Sequence, residues 1–160
     1  MLKLFVLRHG KAIRPKPELD DFDRRLNRKG VTQVNQVGYI LRGESCTFDE
    51  VIASGAIRTR ETATIIRHFV PAPVHYDNDL YLTSAEHIEQ AIAAFGKGQQ
   101  VLYVGHNNGI SDFVTKITGE HLILSTSMLV EISFNFDSWD AIGSKKGHID
   151  RIITPDVCSF

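Results

Sequence analysis

Three short, almost uninterrupted apolar runs constrain this chain most: Leu2-Lys3-Leu4-Phe5-Val6-Leu7, Val51-Ile52-Ala53 and Val101-Leu102-Tyr103-Val104. A strand with one wet face alternates polar and apolar residues, whereas runs of this kind need cover on both faces. That requirement is met by a mostly parallel sheet flanked by helices. Each run stops at a polar loop, respectively Arg8-His9-Gly10, Ser54-Gly55-Ala56-Ile57-Arg58 and Gly105-His106-Asn107-Asn108-Gly109. Helical patterns follow the loops, so strand and helix alternate, which predicts an α/β three-layer sandwich with right-handed crossovers. Ligands of such sheets bind beyond the carboxyl ends of the strands, and His9, Arg58 and His106 are expected to converge there.

The helices are predicted from periodicity and end signals. One covers about residues 28–42, with Asn27 as N-cap, Val31, Val34, Gly38 and Leu41 on its apolar stripe, and Gly43 at its end. A second opens near Ala56 and carries Thr59, Ala63, Ile66 and Val70 before Pro71. Thr83 and Glu86 form a capping-box pattern ahead of Ile88, Ala91, Ile92 and Phe95, and Gly96 stops that helix. The fourth follows Asn108, with Ile110, Phe113, Val114 and Ile117 inward and Gly119 at its close. Residues 128–136 and 148–153 read as strands around the turn Gly143-Ser144-Lys145-Lys146-Gly147, which predicts an antiparallel C-terminal element at one sheet edge. The prolines of Arg14-Pro15-Lys16-Pro17-Glu18 favour an extended loop beside the expected site.

The 160 residues fit one domain, 1–160, long enough to bury about two-thirds of the unfolded surface without disulfides or metals. With 18 basic and 19 acidic residues, the chain lacks the excess positive charge that nucleic-acid binding requires. The basic stretch from Arg24 to Lys29 is offset by Asp20, Asp21 and Asp23 and reads as a solvated mixed-charge loop. Cys46 and Cys158 are isolated thiols that suit a reducing compartment, and no run approaches the roughly 18 apolar residues of a membrane span. A cytoplasmic monomer without membrane or nucleic-acid partners is therefore expected. Histidines 68, 75, 87, 121 and 148 lack metal-ligand spacing, so they are expected at the surface, with no metal and no cofactor.

A histidine at a strand end, beside a guanidinium and before a glycine, suits capture of phosphate by a nucleophilic imidazole; it also suits a polar loop after a buried strand. As nucleophile, His9 would use a neutral ring nitrogen while a backbone acceptor holds the other as N–H. Arg8 and Arg58 can each present a planar fork of donors to phosphate oxygens, with Arg60 as competitor for the second place. His106, kept protonated by a bound anion, would donate to an equatorial oxygen. Asn107 can donate an amide hydrogen bond to phosphate or cap the following helix. Ser54 and Thr62 can contact phosphate or shape the loop, and Lys11 can add positive charge or remain solvated.

Taken together, these segments resemble the histidine phosphatase superfamily, the clan of phosphoglycerate mutases and acid phosphatases. The likeness rests on Arg8-His9-Gly10, on the Ser-x-x-x-Arg-x-x-x-Thr block at Ser54, Arg58 and Thr62, and on Gly105-His106. Asp21-Phe22-Asp23-Arg24-Arg25-Leu26-Asn27-Arg28-Lys29-Gly30 is similar to the Asp-x-x-Arg-Pro-Leu-Thr-x-x-Gly stretch of the small SixA-type phosphohistidine phosphatases, with Arg25 in place of Pro and Asn27 in place of Thr. The resemblance implies a covalent phosphohistidine at His9, Arg58 as the phosphate arginine and His106 as the second catalytic histidine.

Mutase-like relatives place a glutamate after the third strand and acid phosphatases an aspartate after the second histidine. Here those regions read Asp79-Leu80-Tyr81-Leu82 and Asn107, so only Asp77, Asp79 or Glu86 remain for recruitment. Lack of a general acid costs about 10²–10⁴-fold on a poor leaving group. It costs less on phosphohistidine, whose ring leaves neutral once its distal nitrogen is protonated. The leading expectation is thus a metal-independent phosphohistidine phosphatase acting on a phosphorylated protein such as a histidine phosphotransfer domain. The alternatives are a phosphomonoesterase for small phosphate esters and a catalytically weak phosphate-binding module.

Overall fold

The apolar runs form the centre of one six-stranded sheet in the computed structural model, which describes residues 1–155. Cys158 lies outside the described residues. In chain order the strands are β1 (Leu2–Arg8), β2 (Glu50–Ser54), β3 (Val74–Asp77), β4 (Gln100–Gly105), β5 (Leu129–Phe134) and β6 (His148–Ile153). Across the sheet they run β3-β2-β4-β1-β5-β6. The first four are mutually parallel, and β5 and β6 close one edge by antiparallel pairing.

Helices α1 (Arg28–Gly43) and α2 (Ile57–Phe69) cover one face, where Val34, Val37, Leu41, Ala63 and Ile66 meet Phe5, Leu7 and Val104. Helices α3 (Ala85–Phe95) and α4 (Gly109–Thr118) cover the other, where Ile88, Ile92, Phe113 and Ile117 meet Leu4, Val6 and Tyr103. Consecutive residues of β1 thus serve opposite cores, which is why the run cannot alternate with polar residues. Close packing of α1 on α2 depends on Gly38, since a Cβ there would stand 2.3 Å from the Phe69 ring.

Helix ends follow local chemistry, with two departures from expectation. The Asn27 side chain accepts from Gly30 N–H at the start of α1, and Gly119 ends α4 in the left-handed region at φ 76°. The cap of α3 is Ser84, whose hydroxyl accepts from His87 N–H; Thr83 instead bonds the His87 ring at 2.6 Å. Val31 is 40% exposed, because the stripe of α1 that faces the sheet runs through Val34, Val37 and Leu41. Strand β3 has no apolar run behind it, being an edge strand of only half-buried residues. Among the described residues no helix is long and apolar enough to cross a membrane.

Candidate active site

The register Arg8↔Gly105 between β1 and β4 brings the ends of both strands together, and His9 N–H donates to Gly105 O at 3.1 Å. The buried His9 ring places Nδ1 2.7 Å from Gly10 O. A carbonyl can only accept, so Nδ1 carries the proton and Nε2 keeps its lone pair. Burial, with the charges of Arg58, Arg8 and Arg24, pushes the imidazole down to about 4 against the opposing Gly10 carbonyl. His9 is therefore neutral, with a free nitrogen beside a guanidinium: Arg58 Nε lies 3.4 Å from Nε2.

Arg58 projects from the first turn of α2 and is 4% exposed. Its Nη1 donates to Asp21 O at 2.7 Å and its Nη2 to Asp21 Oδ2 at 3.0 Å. The Tyr81 hydroxyl donates to the same carboxylate oxygen, and Arg24 Nη1 donates to Asp21 Oδ1 at 2.8 Å. Tyr81, Arg24 and Arg58 together hold the Asp21 carboxyl well below the usual carboxylate range, against the effect of partial burial. Asp21 thus stays ionised and fixes the fork of Arg58. Arg8 is anchored by donation from Nη1 to Leu124 O at 3.0 Å. Arg60 turns away, with its Nε on Gly55 O and its guanidinium 4.2 Å over Tyr76.

These side chains open onto a cleft of about 350 Å³ lined by Arg8, His9, Lys11, Arg24, Arg58 and His106 among others. The expectation of a solvated Arg24 is corrected: its Nε and Nη2 donate to Ile13 O at 2.9 and 2.7 Å, which holds it over the cleft. Asp21, Tyr81 and Arg24 are the site residues that the sequence reading did not assign. The one available signal was the Asp21-to-Gly30 stretch, whose ends fold back onto Arg58 and the loop after β1.

His106 stands 5.2 Å from His9 between ring centres, and its Nε2 is 2.6 Å from Ser54 Oγ. Its Nδ1 is buried, with no hydrogen-bond partner among the described residues. Burial, together with His9, Arg58 and Arg8, pushes this imidazole down to about 3 against the nearby Asp21. An anion in the cleft opposes those positive charges and favours the protonated ring.

Two expected phosphate contacts are differently employed. Ser54 is fully buried, its hydroxyl bonded to His106 and Thr59, so it supports the histidine from behind instead of meeting a ligand. Asn107 lines the cleft, but its Nδ2 donates to Leu124 O at 2.8 Å and its Oδ1 accepts from Ser111, which ties down the loop that anchors Arg8. Thr62 shapes the loop, accepting from Gly10 N–H at 3.0 Å and donating to Arg58 O at 2.7 Å. Lys11 is exposed at the cleft wall. None of Asp77, Asp79 and Glu86 lines the cleft, and Asp77 is the cap of the turn at Asp79.

The family model for the histidine phosphatase superfamily (branch 1) matches residues 4–91. An uncharacterised protein of Mycobacterium leprae is 32% identical over 117 residues, covering 71% of each chain. A candidate SixA phosphohistidine phosphatase from Nakamurella multipartitia superposes with a TM-score of 0.86 at 23% identity, covering 96% of both chains. The protein histidine phosphatase SixA complexed with tungstate superposes at 0.82 with 19% identity, covering 99% of this chain and 100% of that one. At these identities the two superpositions establish a common fold.

Proposed function

The chain belongs to the histidine phosphatase superfamily, and from that premise we propose that it is a SixA-type phosphatase that removes phosphate from phosphohistidine through a phosphoryl-His9 intermediate. The observation that carries the reading is the state of His9: Nδ1–H on the Gly10 carbonyl and an unprotonated Nε2 in a cleft walled by Arg8, Arg24 and Arg58. Attack by Nε2 forms the N–P bond as the bond from phosphorus to the substrate ring breaks, and its electron pair returns to that ring. With its distal nitrogen protonated, the substrate imidazole departs neutral. Water then attacks phosphorus as the Nε2–P bond breaks and its electron pair returns to Nε2; the water's proton passes to a phosphate oxygen, and inorganic phosphate leaves neutral His9 with its Nδ1–H intact.

Phosphoryl transfer passes through a loose transition state, so positioning and charge on the equatorial oxygens matter most. The arginines supply that charge, and among the described residues the cleft lining contains no carboxylate to protonate a basic leaving group. The solved SixA structures described above support this substrate class.

Rapid quench with labelled phosphohistidine should trap an acid-labile adduct on His9, and His9→Ala should abolish it. Turnover should survive exhaustive EDTA, because the arginines occupy the electrostatic role that many phosphatases give to metal ions. Wild-type-like turnover by His9→Ala, or label on another residue, would overturn the mechanism.

A further inference from the structure

We propose that Thr59, a residue that does not reach the cleft, is a positioning residue that sets which ring nitrogen of His106 carries the proton. The inference rests on the reading of His106 as the donor to the transferred phosphoryl group. Thr59 Oγ1 lies 2.9 Å from Ser54 O, 2.8 Å from Ala56 O and 2.8 Å from Ser54 Oγ. Two of these three neighbours are carbonyls, which only accept, so the single Thr59 hydrogen is shared between them as a three-centre bond. Ser54 must then supply the hydrogen of the Ser54–Thr59 contact, since otherwise two oxygens would face each other at 2.8 Å with no proton between them. That commits the only hydrogen Ser54 has.

What remains on Ser54 Oγ is acceptor capacity, taken up by Ala56 N–H at 3.3 Å and by His106 Nε2 at 2.6 Å. Nε2 therefore bears hydrogen, and Nδ1, buried and without a partner among the described residues, is left as a lone pair. In this polarity His106 can donate toward an oxyanion only after Nδ1 takes a proton, so the donor is the imidazolium. The ring delivers a full positive charge to the phosphoryl oxygens, and does so only when an anion is present to favour it. Both threonine and its serine relay are completely buried, which removes water as a competing partner.

Substitution by valine keeps the shape of Thr59 and removes the acceptor. The nearest acceptor for the Ser54 hydrogen is then His106 Nε2, which favours the neutral Nδ1–H ring and disfavours the cation. The groups that face His106 are His9, Arg8, Arg58, Asp21 and the edge-on Tyr81 ring, 5.4 Å away between centres, and none of them changes in the variant.

Nitrogen-15 spectra of the unliganded protein at neutral pH should show His106 as the Nε2–H tautomer in wild type and Thr59→Ser, and as Nδ1–H in Thr59→Val. The alkaline limb of kcat on a phosphohistidine substrate should move down by about one pH unit in Thr59→Val, the size expected for one hydrogen bond to a charged ring. In Thr59→Ser it should stay in place. Thr59→Ala replaces the valine variant if that one does not fold. An Nδ1–H tautomer in wild type, or a valine variant with tautomer and limb both unchanged, would overturn the role of Thr59. Absence of turnover on every phosphohistidine tested would overturn the functional reading instead, and the tautomer would still decide the role of Thr59.

Discussion

Burial and the neighbouring arginines hold both His9 and His106 neutral, and this ties the stability of the fold to pH. Each ring sits below its ordinary value, near 4 for His9 and near 3 for His106. Between those values and about 6.5 the unfolded chain binds more protons than the folded one, so stability rises with pH there. The contribution is complete above about pH 6.5 and is lost as pH falls through the folded values, at up to about 1.4 kcal/mol per pH unit for each histidine. Thermal unfolding of the free protein from pH 7 to pH 4 should show a falling Tm. Saturating inorganic phosphate should flatten the fall, because an anion bound only by the folded state favours the protonated His106. A Tm that is level from pH 7 to pH 4 would contradict the buried neutral pair. His9 and His106 were legible because each follows directly from a strand end, and Arg58 because it lies in the first turn of the helix after β2. Asp21 and Tyr81 were not, since their contacts span long loops: Arg58 meets Asp21 across 37 positions and Tyr81 meets it across 60. No local pattern encodes that closure. Ser54 was legible as a member of the site, but the choice between phosphate contact and a supporting role was not, because the side of a strand end on which a hydroxyl finds its partners is decided by packing.

Helix α1 acts on the site through its first turn, which rests on the loop after β1. Asn27 N–H donates to Lys11 O at 2.9 Å, and a Cβ at Gly30 would stand 2.1 Å from that carbonyl oxygen and 2.7 Å from Lys11 N. Backbone cannot yield as a side-chain tip can, so Gly30→Ala should push the loop away from the helix. Overpacking of this kind costs about 1–3 kcal/mol. Because Lys11 is two residues from His9, kcat/KM should fall along with Tm. Gly43→Ala is the control, with open space around the added methyl and a helical site that should gain up to about 1 kcal/mol. Equal effects of the two substitutions on kcat/KM would show that contact with the loop is irrelevant. At this scale the four helices and the strands with apolar runs were readable from periodicity and end signals. Strand β3 was not, since Val74, His75, Tyr76 and Asp77 are half-buried at an edge and carry neither a clean alternation nor an apolar run. The start of α3 was misplaced by one residue because Thr83 and Ser84 are both competent caps, and the neighbouring His87 ring takes the threonine.

The sheet order places β4 and β1 side by side at the centre with β2 next to β4, so the three loops that carry the candidate residues open at one end of the molecule. Between α2 and β4 the chain builds only β3, a short turn at Asn78–Leu80 and α3, all of which are used in the edge and the second helical layer. Little chain is left there to roof the cleft. Its rim continues past Leu82 and Asn107 into a groove of about 860 Å³ along the starts of α3 and α4. An open rim of this kind should favour a phosphohistidine standing on a protein surface over a small sugar phosphate, which would find few contacts beyond its phosphate. Among the described residues the same cleft has no lining carboxylate, so the bond to a basic oxygen must break without a carboxylic acid to protonate that oxygen. Both features act in one direction on selectivity. Across a series of aryl phosphates, kcat/KM should fall steeply as the leaving group becomes more basic, and phosphoramidate should outrun alkyl phosphates. An intact phosphohistidine protein should in turn outrun free phosphohistidine, because only the protein can use the rim formed by residues 11–18 and 77–84. The two comparisons separate the causes: a flat leaving-group series would reveal a proton donor in the cleft. A single metabolite preferred over every phosphoprotein tested would make this chain a small-molecule phosphomonoesterase.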